Sequence, residues 1–238
     1  MQGTIVNTIA IIIGGLVGLI LRKGILDNYR DTVMQGIGLS VLAIGLMGVF
    51  KSENIILMIF SVVLGGIIGE RIDIDRKLNN LGLWIERKMG SGQGTVAKGF
   101  VTASLIFCVG AMAVVGSLES GLTGKHETLY AKSLIDGISS IVFASTLGVG
   151  VIFAGAVVFL YQGLITIAAG GLRHLLVEPV IVEMSAIGGL LIVGISLNVL
   201  GIKKIPVANM LPAIFVPIVY QLVQPLVLSI GGFIQTLL

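Results

Sequence analysis

The chain has 238 residues, of which 55% are hydrophobic and only 11% charged, and its mean hydropathy is +1.08. Soluble domains carry about 25% charged residues, so a water-soluble enzyme is excluded, and a single cysteine excludes a disulfide scaffold. A net charge of +3 and a pI near 9.1 do not argue for nucleic acid, because the basic residues sit between the apolar runs, where they set membrane orientation. Thirty-four glycines suit close helix packing in a bilayer. A transmembrane β-barrel would show strands of alternating polarity, which this chain lacks. The class is therefore all-α: a polytopic integral membrane protein.

About 20 apolar residues cross a bilayer. In chain order the apolar runs are 4–21, 33–50, 54–70, 97–117, 133–147, 149–170, 181–200 and 207–222. A last stretch, 223–238, is interrupted by Gln224, Pro225, Gly231 and Gly232, and reads either as a ninth crossing or as a surface segment. The expectation is seven to nine transmembrane helices, with 54–70 and 133–147 short enough to be tilted or broken. Residues 1–21 lack the basic start of a cleavable signal peptide.

The connection 71–90 carries Ile74, Leu78, Leu81 and Ile85 at helical spacing, with Arg71, Arg76, Lys77, Arg87, Lys88 and the sole tryptophan, Trp84, at other positions. That pattern predicts a helix lying in the headgroup layer, followed by a turn at SGQGT, 91–95. Four parts follow: an N-terminal three-helix unit (1–70), the interfacial segment (71–95), a first repeat unit (96–170) and a second (171–238), all within one compact membrane domain.

Lysine and arginine fix the orientation. The gaps 22–32, 71–98 and 201–206 hold eleven of them, whereas the opposite gaps hold only Lys51, Lys125, Lys132 and Arg173. Positive loops stay in the cytoplasm, so the N-terminus is placed outside and the stretch 117–133 faces outward. On this count the runs 97–117 and 181–200 cross in opposite directions, and the two repeat units are inverted. Self-similarity supports duplication: Gly14, Gly15 and Gly18 recur as Gly65, Gly66 and Gly69 at an offset of 51. Gly45, Gly110 and Gly194 align in a weaker second pattern.

Inverted repeats in transporters enclose a midplane site, made where helices are interrupted. The candidates are the helix opening at Asp136-Gly137 and the proline-flanked helix around Asn209, near Pro206, Pro212 and Pro217. Asp136 is the sharpest residue, because an acid in a membrane span costs about 2.5–3.5 kcal/mol on insertion scales. It shares a helix face with Ser139, Ser140 and Phe143, an oxygen-rich patch for a cation, a proton or a polar solute. A helix N-cap explains it equally well, and the two readings are compatible. Asn209 and Asn198 are further site candidates. Asn54, Gln162 and Thr166 are secondary ones, with capping for Asn54 and helix–helix bonding for the other two as the plainer explanations. Glu119, His126 and Glu127 read as a solvated loop before a metal site or gate, and Glu178 and Glu183, near His174, as interfacial anchors before an acidic entrance. Cys108 reads as a small buried hydrophobe.

No metal-ligand spacing, Walker loop or nucleophile elbow occurs, so no catalytic residue, metal or cofactor is expected and an enzyme is not. The stretches GLTGKHETLYAKSLIDGISSIVFASTLGVGV (121–151), YQGLITIAAG (161–170), GGLLIVGISLNVLGIKKIPVANMLPA (188–213) and the opening GTIVNTIAIIIGGLVG resemble a bacterial membrane family, domain of unknown function 554. The likeness spans essentially the whole chain. It implies a multi-pass protein of the bacterial inner membrane and brings no site residues with it.

The leading reading is a membrane transporter or channel for a small solute or ion, using Asp136, Ser139, Ser140, Asn198 and Asn209. The rival is a non-transporting structural or signalling subunit. The expected partners are the lipid bilayer, the solute and a second copy in a homodimer, without nucleic acid.

Overall fold

The computed structural model describes residues 1–22, 27–88, 94–108, 111–172 and 175–223. Among them the secondary structure is helical, without strands. The helices are α1 (Gln2–Arg22), α2 (Asp27–Val49), α3 (Ile55–Ile72), α4 (Ile74–Lys88), α5 (Thr95–Cys108), α6 (Ala111–Leu122), α7 (Glu127–Leu147), α8 (Gly150–Leu172) and α9 (Glu178–Val199). The last, α10 (Val207–Val223), opens as a 3-10 helix through Phe215. The question of a ninth crossing at 224–238 lies outside the described residues, as do Gly110 and His174.

Among the described residues, five helices are long and apolar enough to cross a membrane: α1, α2, α3, α8 and α9. The number rises to six if α5 and α6, bent by 60° to one another, form a single broken span. The shortfall from seven to nine has physical causes. The helix expected over 133–147 begins at Glu127 and takes Lys132 and Asp136 into its body, which costs it apolarity, and α10 is short and contains Pro212. Ile9, Ile13, Leu16 and Ile20 of α1, Ile59, Val63 and Ile67 of α3, and Leu160, Leu164 and Ile167 of α8 are all exposed. A soluble monomer does not leave apolar belts of this extent uncovered, whereas in a bilayer equally apolar lipid tails cover them. The protein is a membrane protein.

Local chemistry sets the ends. Asn54 caps α3 by accepting from the Leu57 amide at 2.9 Å. Asp73, in the left-handed region with φ 58°, stops α3 and redirects the chain into α4, a conformation that a short polar side chain tolerates. α4 is the amphipathic helix expected over 71–90, with Trp84 exposed and Lys88 5.8 Å above its ring. Gly148, with φ 84°, ends α7.

Packing follows the glycines. A β-carbon on Gly14 would collide with the Gly137 carbonyl, and one on Gly18 with the Ile141 carbonyl. Positions rising together, 14 with 137 and 18 with 141, make α1 and α7 a parallel pair. Gly65 meets Ala213 and Gly69 meets the Asn209 carbonyl, so α3 and α10 are antiparallel. Gly45 and Gly48 of α2 meet Gly189 of α9. α9 is the central helix, with 67% of its span buried against 22% for α2 and α3.

The structure corrects three expectations. Asp136 is not at a helix start but in the middle of α7, so it is no N-cap. Gly137 does not interrupt that helix, which runs unbroken from Glu127 to Leu147. Most of the supposed outward loop 117–133 is helical, and Lys132 is buried rather than solvated. The common reason is that Lys132 and Asp136 neutralise one another inside the bundle.

Candidate functional site

α7 brings a lysine and an aspartate four residues apart onto one face, and α1, packed tightly through Gly14 and Gly18, covers that face with Asn7. The Lys132 Nζ lies 2.8 Å from Asp136 Oδ2 and donates to Oδ1 at 3.0 Å. Asn7 Nδ2 donates to Asp136 Oδ2 at 3.0 Å. All three residues are buried: Asn7 is 0%, Asp136 4% and Lys132 7% exposed. An isolated charge at this depth would carry a large desolvation penalty. The pair offsets it with a short ion pair and one amide donor.

The surroundings are polar and incompletely paired. Seven buried side-chain polar atoms have no hydrogen-bond partner among the described residues. Six belong to helices around this pair: Thr4 Oγ1 and Asn7 Oδ1 on α1, Ser104 Oγ on α5, Ser140 Oγ on α7, and both amide atoms of Gln162 on α8. Each such group costs about 1–3 kcal/mol if nothing satisfies it. Nearby hydroxyls that serve only their own helix do not share this property: Ser133 donates to Leu129, Ser117 to Ala113 and Thr166 to Gln162, each through a carbonyl four residues back. Cys108, at the end of α5, lies within electrostatic range of both Lys132 and Asp136. One end of the bundle is polar as well. There the Met1 ammonium donates to Ser120 Oγ at 3.4 Å, His126 Nδ1 is 2.9 Å from the same hydroxyl, and Thr128 donates to Glu119 at 2.6 Å. Glu119 and His126, two of the three residues of the metal-site or gate reading, thus tie α6 to the start of α7.

Of the residues singled out in the sequence, the structure gathers Asp136 and Ser140 on the α1-facing side of α7, with Ser139 half-buried beside them. Gln162 and Thr166 share the buried face of α8. Asn209 and Asn198 are elsewhere. Asn209 donates to Glu70 Oε2 and accepts from the Asp75 amide, both at 2.7 Å, and so joins α10 to the turn between α3 and α4. Asn198 grips Ile205 through both its backbone groups, at 2.8 and 2.7 Å. Asn54 is a cap. Glu183 is buried and accepts from Ser52 Oγ and the amides of Glu53 and Asn54, holding the turn between α2 and α3 against α9.

Two central residues escaped the sequence reading, and both had a signal. Asn7 is an amide inside an apolar run. Lys132 precedes Asp136 by four, the spacing that pairs opposite charges on a helix. It was missed because a lysine ahead of an apolar run reads as loop. Glu86, which caps α5 by accepting from the Gly94 and Ala97 amides, had no such signal, since its partners lie eight and eleven residues further along the chain.

The chain is similar to the "Uncharacterized membrane protein YdfK" of Bacillus subtilis (strain 168), with 37% identity over 91% of this chain and 94% of that protein. It is similar also to the "Uncharacterized protein YqgA" of Escherichia coli (strain K12), at 29% identity over 89% and 92%. No solved structure matches. The model of the family described as "Protein of unknown function (DUF554)" matches residues 2–222, and the chain belongs to that family.

Proposed function

We propose that the protein is a transporter or channel for a small polar solute or ion, and that the site through which the cargo passes is the cluster around Asp136. The observation that carries this reading is the buried Lys132–Asp136–Asn7 arrangement among unpartnered hydroxyl and amide groups. Ionisable residues inside membrane bundles mark ion and solute pathways. The pair is neutral as a whole. A cargo bearing a positive group can take the place of Lys132 at Asp136, while Thr4, Ser104, Ser140 and Gln162 offer it oxygens. A small cation or a zwitterion fits best. Cofactors and catalysis have no part in this reading.

The reading takes α1, α2, α3, bent α5–α6, α7, α8, α9 and α10 as eight crossings. Its support is that α7 follows α1 from Gly3 against Leu129 to Gly18 against Ile141, so α7 spans whatever α1 spans. Lys98, Lys203 and Lys204 border one cavity together with α4 residues, which gathers the basic segments at one face. The positive-inside rule makes that face cytoplasmic and puts the N-terminus outside, in a bacterial inner membrane. α7 running with α1, and α10 against α3, supports opposite directions for the two repeat units.

The test is a thermal-stabilisation screen of purified protein against ions and small metabolites, followed by flux in proteoliposomes. A hit is expected for the wild type and is expected to vanish, with its flux, in the neutral double variant Lys132→Met/Asp136→Asn. A folded double variant that keeps the same binding and flux would sink the assignment.

The rival, a non-transporting subunit that assembles as a homodimer, draws on Gly66. Among the described residues nothing lies within 4 Å of a β-carbon built there, which leaves a shallow place for another helix on the outward side of α3. The screen separates the two, since a packing subunit has no soluble ligand.

A further inference from the structure

A second polar site lies away from Asp136, where α4, the start of α5 and the loop after α9 come together. They border an open cavity of about 410 Å³ lined by Asp75, Asn79, Lys98, Asn198, Lys203 and Lys204 among others. Three ammonium groups against one carboxylate leave the lining with two surplus positive charges. The loop that carries two of the lysines is held in shape. Asn198 clamps both backbone groups of Ile205, the Ile202 amide donates to the Leu197 carbonyl at 3.0 Å, and Gly201 supplies the left-handed turn with φ 72°. Glu86 already takes the Gly94 and Ala97 amides at the start of α5 and sets a negative charge there, so the attraction for an anion comes from the lysines. The remaining acid, Asp75, sits in the first turn of α4, where it complements its own helix dipole.

We infer that this cavity is a phosphate-recognition site. Lysine is a compact point-charge binder of phosphate, and three on two separate segments converge here. The volume exceeds what a bare inorganic anion needs and falls within the range of ligand pockets, so the phosphate carries an organic group. The neighbourhood sets the depth. α4 lies amphipathic beside the cavity, with Trp84 exposed and Lys88 against its ring, the arrangement of a helix at the headgroup layer. Basic pockets between membrane helices on the cytoplasmic side receive anionic headgroups. A phospholipid headgroup and a soluble phosphate ester present the same chemistry at this point. The inference does not depend on the transport reading, because it uses none of the residues around Asp136.

The test uses the full-length protein in detergent. Thermal unfolding is followed during titration with phosphatidylglycerol in mixed micelles, with phosphatidylcholine as reference, and separately with glycerol 3-phosphate. One of the two anionic ligands stabilises the wild type saturably. In Lys98→Gln/Lys203→Gln/Lys204→Gln the apparent affinity falls about tenfold or more, given the contribution of each lysine near a charged surface, whereas the corresponding triple arginine variant retains binding. All three lysines are exposed, so the glutamine variant melts like the wild type without ligand, and Lys98→Gln alone serves as a second, milder variant with a smaller loss. Stabilisation by the lipid alone assigns a headgroup, and by the ester alone a soluble ligand. No stabilisation by either, or equal affinities in wild type and glutamine variants, overturns the site.

Discussion

The α1–α7 and α3–α10 pairs are built from the same glycine motif and enclose opposite contents. In the first, Gly14 and Gly18 bring α1 against the α7 backbone at Gly137 and Ile141, and the helices run in parallel. In the second, Gly65 and Gly69 bring α3 against Ala213 and Asn209, and the helices run antiparallel. The parallel pair seals an ion pair and an amide in its middle and leaves Thr4, Asn7 and Ser140 with unpaired atoms. The antiparallel pair keeps its charged chemistry at one end, where Asn209 is satisfied by Glu70 and by the Asp75 amide. Its buried hydroxyl without a partner is Ser61. Small residues therefore govern how near two backbones come, and the other faces govern what is enclosed. Polarity that ties helix ends together is spent on the fold. Polarity left unpaired among the described residues in mid-bundle, beside a neutralised charge, is what the proposed function assigns to a cargo.

The contrast is broken most severely by separating the charges. Lys132→Met leaves Asp136 buried and uncompensated, and about 3–5 kcal/mol of stability is expected to go. Adding Asp136→Asn restores most of it, because the double variant buries no net charge. Thermal or denaturant unfolding of both variants in detergent checks this. An equal loss in the two would mean that the pair is not the unit described.

A smaller effect sharpens the glycine comparison. Gly18→Ala and Gly69→Ala each force a β-carbon into a facing carbonyl, and overpacking of this kind costs about 1–3 kcal/mol. Gly66→Ala meets open space and is expected to be neutral or slightly stabilising, since alanine is the better helix former. Melting temperatures of the three decide it. If Gly66→Ala is as damaging as Gly69→Ala, the repeat packs alike at every position and a second copy covers the outward face of α3.

The smallest effect is at a helix end. Asn54→Ala removes the side-chain acceptor for the Leu57 amide and is expected to cost about 1 kcal/mol, the usual worth of a cap. Glu183 still holds the neighbouring amides of Glu53 and Asn54. A much larger drop in unfolding midpoint would show Asn54 to be more than a cap.

Much of the fold was legible in the chain because lipid permits few solutions. Apolar runs, basic gaps and the amphipathic 71–90 segment each answer to a solvent boundary, and such patterns are local. The site was legible only in part. Asp136 stands out as an acid next to an apolar run and Ser140 as its face-mate, but Lys132 reads as a loop residue because the helix ends set by α6 and α7 are not legible ahead of Asp136. Asn209 resembled Asp136 in its setting, a polar residue opening an apolar run, yet Glu70 and the Asp75 amide claim it. Those partners are more than 130 residues away in the chain.

Hydropathy and charge, which act residue by residue against lipid and water, were enough to make this an all-helical membrane protein with an amphipathic α4. The partner of each buried polar group was settled by packing. Lys132 reaches Asp136 along α7 itself, but whether that pair meets Asn7, water or lipid depends on how closely α1 approaches α7, and that distance is set by glycines more than a hundred residues from the acid they shelter.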